Sequence, residues 1–524
     1  MEEKSTHRTL AKNISTMSIS VFISRIIGLI RDQVMAFFFG TTYLNDAFNV
    51  GYNIPNLLRR LFGEGALSTA FVPLYNDIKI KQGKEKQIDF ALNLLSVLTL
   101  ILCLLTILGM ALAPLIVKCL YPGLAPYTAT LAIKLTRIIF PYLFFIGLSS
   151  TFIAILNSHN YFFITGFSSA LLNVGMIATV VIPYYVLKVS GEELIIWAGW
   201  GVIVGGFLQT VINFPYLKKI GYRWAIYLKF GSEALSILWK RFIPSMIGIG
   251  IREINLIADS LMASFLPIGS ITALSFGNRL MQLPLGIFGI STGTAVLPFY
   301  SRCVSTENYE ELSESIRFTG LNLAYIMLPV TTIILALGED FVRILFQSGA
   351  FQERAVWMTS RALIFYSLGL IFYSLNQTIT PVFYAYKDTK TPVKIAACMV
   401  ALNITLNFIL MQFMAHRGLA LSTSITACVN YFLLLYLIRK KMPEIAFSRI
   451  AINILKSLLI CAFLYLLLYI SCKLFPVSGR IALLIRDAIF STIVLILFYL
   501  TGIFIKIDYI SQTGKKLCQR FLKK

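Results

Sequence analysis

The sequence predicts an all-α polytopic membrane protein of about fourteen transmembrane helices, in two six-helix lobes related by a parallel pseudo-twofold repeat plus two C-terminal helices. Three observations carry this. Hydrophobic residues make up 57% of the 524 and charged residues only 13%, with a mean hydropathy of +0.77, far from a soluble globular chain. Apolar runs of about 20 residues, each long enough to cross a ~30 Å hydrocarbon core, recur from end to end. Finally, Thr69-Ala70-Phe71-Val72-Pro73-Leu74-Tyr75 recurs as Thr294-Ala295-Val296-Leu297-Pro298-Phe299-Tyr300. That spacing of about 225 residues equals six spans, so the halves share one orientation and an axis along the membrane normal.

The spans start near Asn13, Asn45, Phe90, Thr128, Phe162, Leu194 and Ser232, then near Ser270, Ile316, Ala355, Thr391, Leu419, Ile450 and Arg480. Span one runs to Gly40 and carries Arg25, Arg31 and Asp32 within its apolar run. Span two contains Asn56-Leu57-Leu58-Arg59-Arg60 with Glu64, and span four carries Lys134 and Arg137 before a short polar turn over 157–165. Span seven holds Arg252, Glu253 and Asp259, span eight holds Asn278-Arg279-Leu280, and span ten holds Arg361. In span eleven Asn403 and Asn407 sit at i,i+4 on one face, and Thr423 opens span twelve. These elements give an N-lobe over 10–220, a C-lobe over 230–440, a C-terminal helix pair over 448–508 and a basic tail over 509–524.

Placement of charge orients the chain. With a cytoplasmic N-terminus, about 29 of the 46 Lys and Arg fall on the cytoplasmic side, as the positive-inside rule requires. Examples are Lys79, Lys81, Lys84 and Lys86, the pair Lys218 and Lys219 with Arg223, and the run Arg439, Lys440 and Lys441. The net charge of +22 therefore reads as topology and contact with anionic lipid rather than nucleic-acid binding. An even number of spans places both termini in the cytoplasm. The first apolar run is too long and too charged for a cleavable signal peptide. Connections are short, and the helically spaced Glu307, Glu310, Glu311 and Glu314 form the solvated face of an amphipathic helix. Eight cysteines show no C-x-x-C pair, and those within spans, such as Cys103, Cys398, Cys428 and Cys461, are expected to be buried structural thiols.

The intramembrane charges define the candidate site. An ionised side chain at mid-bilayer costs roughly 3 kcal/mol on insertion scales, so such residues face a bundle interior or a wet cavity. At about 1.5 Å per residue, Arg25 lies roughly 18 Å inside the cytoplasmic end of span one. Arg59 and Arg279 lie roughly 21 Å and 14 Å below the outer ends of spans two and eight. All three reach the central layer. Arg25 and Asp32, seven apart, share a helical face, so Asp32 can hold part of that charge, and Glu64 can serve Arg59 or Arg60 similarly. Three guanidinium groups outnumbering the nearby acids suit an anion with several oxygens, a pyrophosphate above all, because guanidinium offers a planar fork and does not deprotonate. The alternative for each arginine is snorkelling to an interface or a structural pair. Asp259, Asn403, Asn407 and Thr423 offer oxygens for Na⁺ or H⁺ coupling, although helix–helix hydrogen bonding explains Asn and Thr as well. The three histidines, His7, His159 and His416, fall in the tail and two connections, and no hydrolase or metalloprotease motif accompanies them. A channel would show a repeated pore signature instead.

At these residues the chain resembles the MurJ (MviN) family of bacterial lipid II flippases. The resemblance rests on Ser24-Arg25 with Gly28 and Arg31-Asp32, on Asp46-Ala47-Phe48, and on NIPNLLRRLFGEGALSTAFVPLY from Asn53 to Tyr75. It continues through Asn278-Arg279-Leu280 with Pro284 and Gly286, Arg361-Ala362-Leu363, and Lys390-Thr391-Pro392-Val393-Lys394, spanning about 10–510. It implies the fold of the multidrug/oligosaccharidyl-lipid/polysaccharide (MOP) exporters, with the last two helices forming a groove for a lipid tail. It also implies a non-enzymatic flippase that carries undecaprenyl-pyrophosphate-MurNAc-pentapeptide-GlcNAc, lipid II, between leaflets of the bacterial cytoplasmic membrane for peptidoglycan synthesis. Alternating access would be driven without a cofactor by the membrane potential or by a cation. By motif, Arg25, Arg31, Asp32, Arg59, Glu64 and Arg279 become cavity residues, supported by Ser24, Asp46 and Arg60. The implied partners are lipid II, membrane lipids and the peptidoglycan-synthesis machinery, with no nucleic acid. Asn278 and Gln282 stand where some relatives carry acids, leaving Arg279 in a more positive neighbourhood. The rival readings are a cation-coupled exporter of drugs or other polyprenyl-linked saccharides, and a non-transporting scaffold or membrane enzyme.

Overall fold

The structure is a computed structural model that describes residues 2–60, 66–222, 225, 227–441, 447–505 and 507. It is all-helical among these residues. Two compact units divide the chain, one of residues 1–269 with 348–350, the other of residues 270–347 with 351–524. Glu64 and the basic tail over 509–524 lie outside the described residues.

In the first unit the helices are α1 (Glu2–Phe39), α2 (Tyr43–Arg59), α3 (Ala66–Gln82), α4 (Lys84–Leu120), α5 (Pro126–Ile139), α6 (Tyr142–Ser158), α7 (Phe162–Ile182), α8 (Gly191–Val211), α9 (Phe214–Lys219) and α10 (Glu233–Ala263). The second unit contains α11 (Ser270–Pro284), α12 (Ser291–Ser305), α13 (Tyr309–Phe346), α14 (Glu353–Ser367), α15 (Leu370–Ala385), α16 (Lys390–Met414), α17 (His416–Lys441), α18 (Phe447–Leu474) and α19 (Arg480–Phe504). Among the described residues nine helices are long and apolar enough to cross a membrane, or eleven when each bent pair counts as one span. The expected count of fourteen is not reached by that measure. The expected spans absent from that count are α1, α2 with α3, and α10; α2 and α3 are 17 residues each, and α10 carries several charged residues, among them Glu233, Lys240 and Arg241.

The internal repeat shows in where helices break. Span four bends by 41° between α5 and α6, where Pro141 denies the ladder an N–H, and span ten bends by 41° between α14 and α15, at Leu368-Gly369. These two breaks are six spans apart. Packing repeats as well: α2 lies on α5 as α11 lies on α14, and α7 pairs with α8 as α16 pairs with α17. Without a hydrophobic drive between helices in lipid, close backbone approach has to supply the packing. Gly205 of α8 provides it, since a Cβ there would lie 2.7 Å from the Leu172 backbone of α7.

One helix departs from the repeat. Whereas α1 packs on α7, α10 packs on α3 and α4, which is why the structure divides after Gly269 rather than near residue 220. The causes are local. Asn93 of α4 donates to the Lys229 carbonyl at 3.0 Å and accepts from the Lys229 N–H at 2.8 Å, and Ser232, which caps α10, lies 3.1 Å from the same amide. At the other end of α10, Ser264 accepts from the Gly123 N–H at 3.1 Å.

The cysteine expectation needs correction. Cys461 is buried, but Cys103 and Cys398 are exposed, on outward faces of α4 and α16 rich in apolar side chains such as Leu104, Ile107 and Phe408. A thiol there behaves as one more small hydrophobe.

Just after α6, His159 meets Tyr75 at 3.1 Å through Nε2, and Tyr75 meets Tyr222 at 2.8 Å. Burial first, then the nearby Lys79 and Lys84, hold the His159 pKa below its ordinary value of 6.5. A histidine with a depressed folded pKa contributes stability above the unfolded value that is lost as pH falls through the folded one. Acidification below about pH 6.5 should therefore lower the melting temperature of the wild type more than that of His159→Gln. Thermal unfolding in detergent at several pH values checks this, and equal slopes would remove the assignment.

Candidate cationic site

Within the first unit the site is built where α1 crosses α7. Ser24 and Ser169 hydroxyls meet at 2.9 Å, and the Asn173 amide reaches the Ser24 carbonyl at 3.4 Å. Gly166 permits the crossing, because a Cβ there would sit 2.1 Å from the Ser20 hydroxyl. The crossing sets Arg31 between two acceptors. Its Nε and Nη2 donate to Asp32 Oδ1 at 3.1 and 2.7 Å, and its Nη1 donates to Asn173 Oδ1 at 2.8 Å. Both side chains of the ion pair are nearly enclosed, at 13% and 10% exposure.

This arrangement redirects the expected pairing of Arg25 with Asp32. The Asp32 carboxylate is engaged by its neighbour Arg31, and Arg25 is left exposed, with no ion pair or hydrogen bond among the described residues. Shared helical face alone did not decide the partner, because Arg31 is adjacent and long enough to fold back on Asp32. On α2, Arg59 donates through Nε to Asn56 Oδ1 at 2.7 Å and is half-buried. Arg60 places Nε 3.2 Å from Glu253 Oε2 on α10, so it has an acid that spacing within span two did not suggest. The Arg252 side chain lies outside the described residues.

An aromatic wall accompanies these charges. Tyr52 stacks between Phe48 at 6.1 Å and Tyr142 at 6.3 Å, and Tyr142 lies within electrostatic range of Arg31 and Arg59. Sequence reasoning missed Asn173, Tyr52 and Tyr142, which carry no signal among many similar residues in apolar helices; Glu253 was singled out as an intramembrane acid, but not as the partner of Arg60. Asp46 is buried at 4% exposure and accepts the Gly269 N–H at 2.6 Å. Its carboxylate thus fixes a turn in which Gly269 holds φ +91°, a conformation suited to glycine.

In the second unit, Arg279 sits half-buried on α11, and the neighbouring Gln282 amide donates to Asn278 Oδ1. Asn407 donates to Asn403 Oδ1 at 2.9 Å, and the Ser422 hydroxyl donates to Asn407 Oδ1. Ser422, rather than Thr423, completes this cluster, since Thr423 turns its hydroxyl to the Leu419 carbonyl of its own helix at 2.9 Å. Asp259 belongs to the first unit, where Asn255 approaches its Oδ2 at 3.4 Å. Lys134 and Arg137 are exposed, and Arg361 lies 4.0 Å from Glu339.

Long apolar helices, helix pairings that recur in the two units and arginines within the helices define an all-helical, multi-pass membrane protein. Its fold is similar to an inward-facing multidrug resistance MATE family transporter of the MOP superfamily, with TM-score 0.65 and 14% identity over 82% of this chain and 99% of that one. A closer likeness is to the solved "Lipid II flippase MurJ, inward closed conformation", with TM-score 0.77 and 30% identity over 94% of this chain and 98% of that one. The family model for Lipid II flippase MurJ matches residues 35–486. The chain is 34% identical to the probable lipid II flippase MurJ of Buchnera aphidicola subsp. Baizongia pistaciae over 81% of its length and 82% of the relative's. It is 32% identical to the lipid II flippase MurJ of Burkholderia cenocepacia over 86% and 89%. The chain belongs to the Lipid II flippase MurJ family.

The two arginines of α1 should behave oppositely on substitution. Arg31→Ala strands the enclosed Asp32 and should destabilise the fold by roughly 3 kcal/mol. Arg25→Ala should leave stability within about 0.5 kcal/mol. Melting temperatures of the purified variants separate the two cases, and a large loss for Arg25→Ala would show it to be structural.

Proposed function

We propose that this chain carries lipid II from the inner to the outer leaflet of a bacterial cytoplasmic membrane, with both termini cytoplasmic, by alternating access and without covalent chemistry. The observation that carries the reading is the exposed, unpaired Arg25 beside a satisfied Arg31–Asp32–Asn173 set. An intramembrane guanidinium kept free of acids is costly unless a ligand anion uses it. The pyrophosphate supplies that anion, with Arg25 and Arg59 as its contacts in the first unit and the Arg31 set holding α1 in register, and the motif around Arg279 makes that residue a candidate phosphate contact as well. Guanidinium forks suit phosphate oxygens bidentately.

The polyprenyl tail has a fitting apolar volume in the second unit. A groove of about 1090 Å³ runs between α13, α15, α17 and α18, lined by Leu328, Phe372, Tyr431, Leu458 and Tyr465. Among the described residues its charged lining is Arg361 of α14 and Arg439 of α17. In this reading the tail rests in the groove while the head group crosses. Drive comes from differential binding to the two states, or from the membrane potential or a cation acting on them.

A depletion-rescue assay tests this. With the host's own lipid II flippase depleted, wild type should restore lipid II in the outer leaflet. Arg25→Ala, Arg59→Ala and Arg279→Ala, at equal membrane levels, should restore it at least about tenfold less, the loss of one charge-assisted contact worth more than about 1.4 kcal/mol. Failure of well-expressed wild type would shift the cargo to another polyprenyl-linked glycan, and working mutants would place the head group elsewhere.

A further inference from the structure

Away from the cationic site, α13 and α19 meet at two carboxylates and one guanidinium that the proposed transport does not use. Arg486 donates from Nε and Nη2 to Asp487 Oδ1 at 3.0 and 2.8 Å. The same Nη2 reaches Asp340 Oδ2 of α13 at 2.5 Å. The geometry repeats that of Arg31 on Asp32, again an Arg-Asp dipeptide with both nitrogens on one carboxylate oxygen. The third partner differs. Arg31 has the neutral Asn173, which leaves its set balanced, whereas Arg486 has a second acid.

Fully ionised, the Asp340–Arg486–Asp487 cluster would carry a net charge of −1. Asp487 is 1% exposed, and its Oδ2 has no hydrogen-bond partner among the described residues. A desolvated carboxylate oxygen without a donor strongly disfavours the charged form. Neighbouring groups do not correct the imbalance. On α13, Arg343 flanks Asp340 but is committed to Glu339 at 3.4 Å and to Glu353 of α14. On α18, the Cys472 thiol lies within electrostatic range of all three cluster members and is neutral unless deprotonated. Lys473 turns its ammonium over the Tyr469 ring at 4.8 Å.

Either a metal cation or a proton could neutralise the site. A hard cation wants about six oxygens, and among the described residues no group of three or more His, Cys, Asp or Glu could hold one. A proton needs a single carboxylate oxygen. We propose that the Asp340–Arg486–Asp487 cluster is a proton-binding site that keeps the α13–α19 contact neutral. Asp487 Oδ2 carries the proton and gives it to water when the site ionises, leaving two carboxylates to share one guanidinium across the helix contact. Ionisation then loosens α19 from α13. Because Leu328 to Leu335 of α13 line the apolar groove one to three turns before Asp340, the site lets pH act on one wall of that groove.

Infrared spectroscopy of the purified full-length protein tests this without a transport substrate. At about pH 5 the wild type should show the carbonyl band of a protonated carboxylic acid, moving to lower frequency in D₂O and disappearing as pH is raised towards about 8. Asp487→Asn should lose that band, and so should Asp340→Asn, which leaves Arg486 and Asp487 as a balanced pair. Hydrogen exchange in the Arg480–Phe504 segment, corrected for intrinsic rates, should rise with pH in wild type and stay flat in Asp487→Asn. Absence of the band from wild type at about pH 5 overturns the proposal even if neither variant folds, as does its persistence in folded Asp487→Asn. Loss of the band on adding sodium at fixed pH would instead make a metal cation the occupant.

Discussion

A guanidinium inside a helical membrane bundle has to be answered locally, because neither water nor lipid answers it. The Arg31–Asp32–Asn173 set meets that requirement within one crossing of α1 and α7, and much else follows from it. The crossing needs Gly166 beneath Ser20 and the Ser24–Ser169 contact beside it. It places Arg31 within electrostatic range of Tyr52 of α2 and Tyr142 of α6. Once Arg31 holds Asp32, the nearest acid on α1 is spoken for. Arg25 then remains open, a state that only a ligand anion or an aqueous cavity makes tolerable.

Symmetry supplies the scaffold and its local breakdown supplies individuality. The matching 41° bends and the matching helix pairs show that both halves are solutions to one packing problem. Helix α10 does not follow the pattern, because hydrogen bonds at both its ends commit it to α4 and the turn after it. The Arg60–Glu253 pair adds a charged tie between α2 and α10. Charge pairs of this kind contribute less through Coulomb attraction than through the penalty for separating them once desolvated.

Much of this was legible in the sequence because membranes impose few rules and impose them strictly. Apolar run length located the helices, and the recurring Thr-Ala-x-x-Pro-x-Tyr element disclosed the repeat before any bend was visible. The rarity of charge in spans marked Arg25, Arg31, Asp32, Arg59 and Arg279. Pairing was not legible. Asn173 lies 142 positions from Arg31 and is one of many polar residues in apolar helices, so nothing local marks it as the third member of the set. Similarly, Asp32 sits on the same face as Arg25, yet the reach of the adjacent Arg31 decided its partner. Thr423 and Ser422 are neighbours with hydroxyls pointing different ways, a difference of helix rotation that composition cannot encode. Lipid-facing Cys103 and Cys398 were misjudged for a related reason: in a membrane protein, apolar does not mean inside.

The two Arg-Asp dipeptides show how one local unit serves different ends. Neighbouring residues on a helix do not ordinarily face each other. In both dipeptides the arginine folds over its neighbour, turning two costly charges into a compact dipole that a helix can carry into a bilayer. What that dipole does is set by the residue opposite. A neutral amide on α7 completes Arg31 and leaves a fixed strut. A second acid on α13 over-compensates Arg486 and leaves a site whose charge depends on a proton. The same argument separates Arg25 from both, since a lone guanidinium with no acid folded over it keeps its full charge available. Within a low-dielectric slab, the balance of each small cluster, more than the total number of charges, distinguishes a strut from a titrating site and both from a ligand contact.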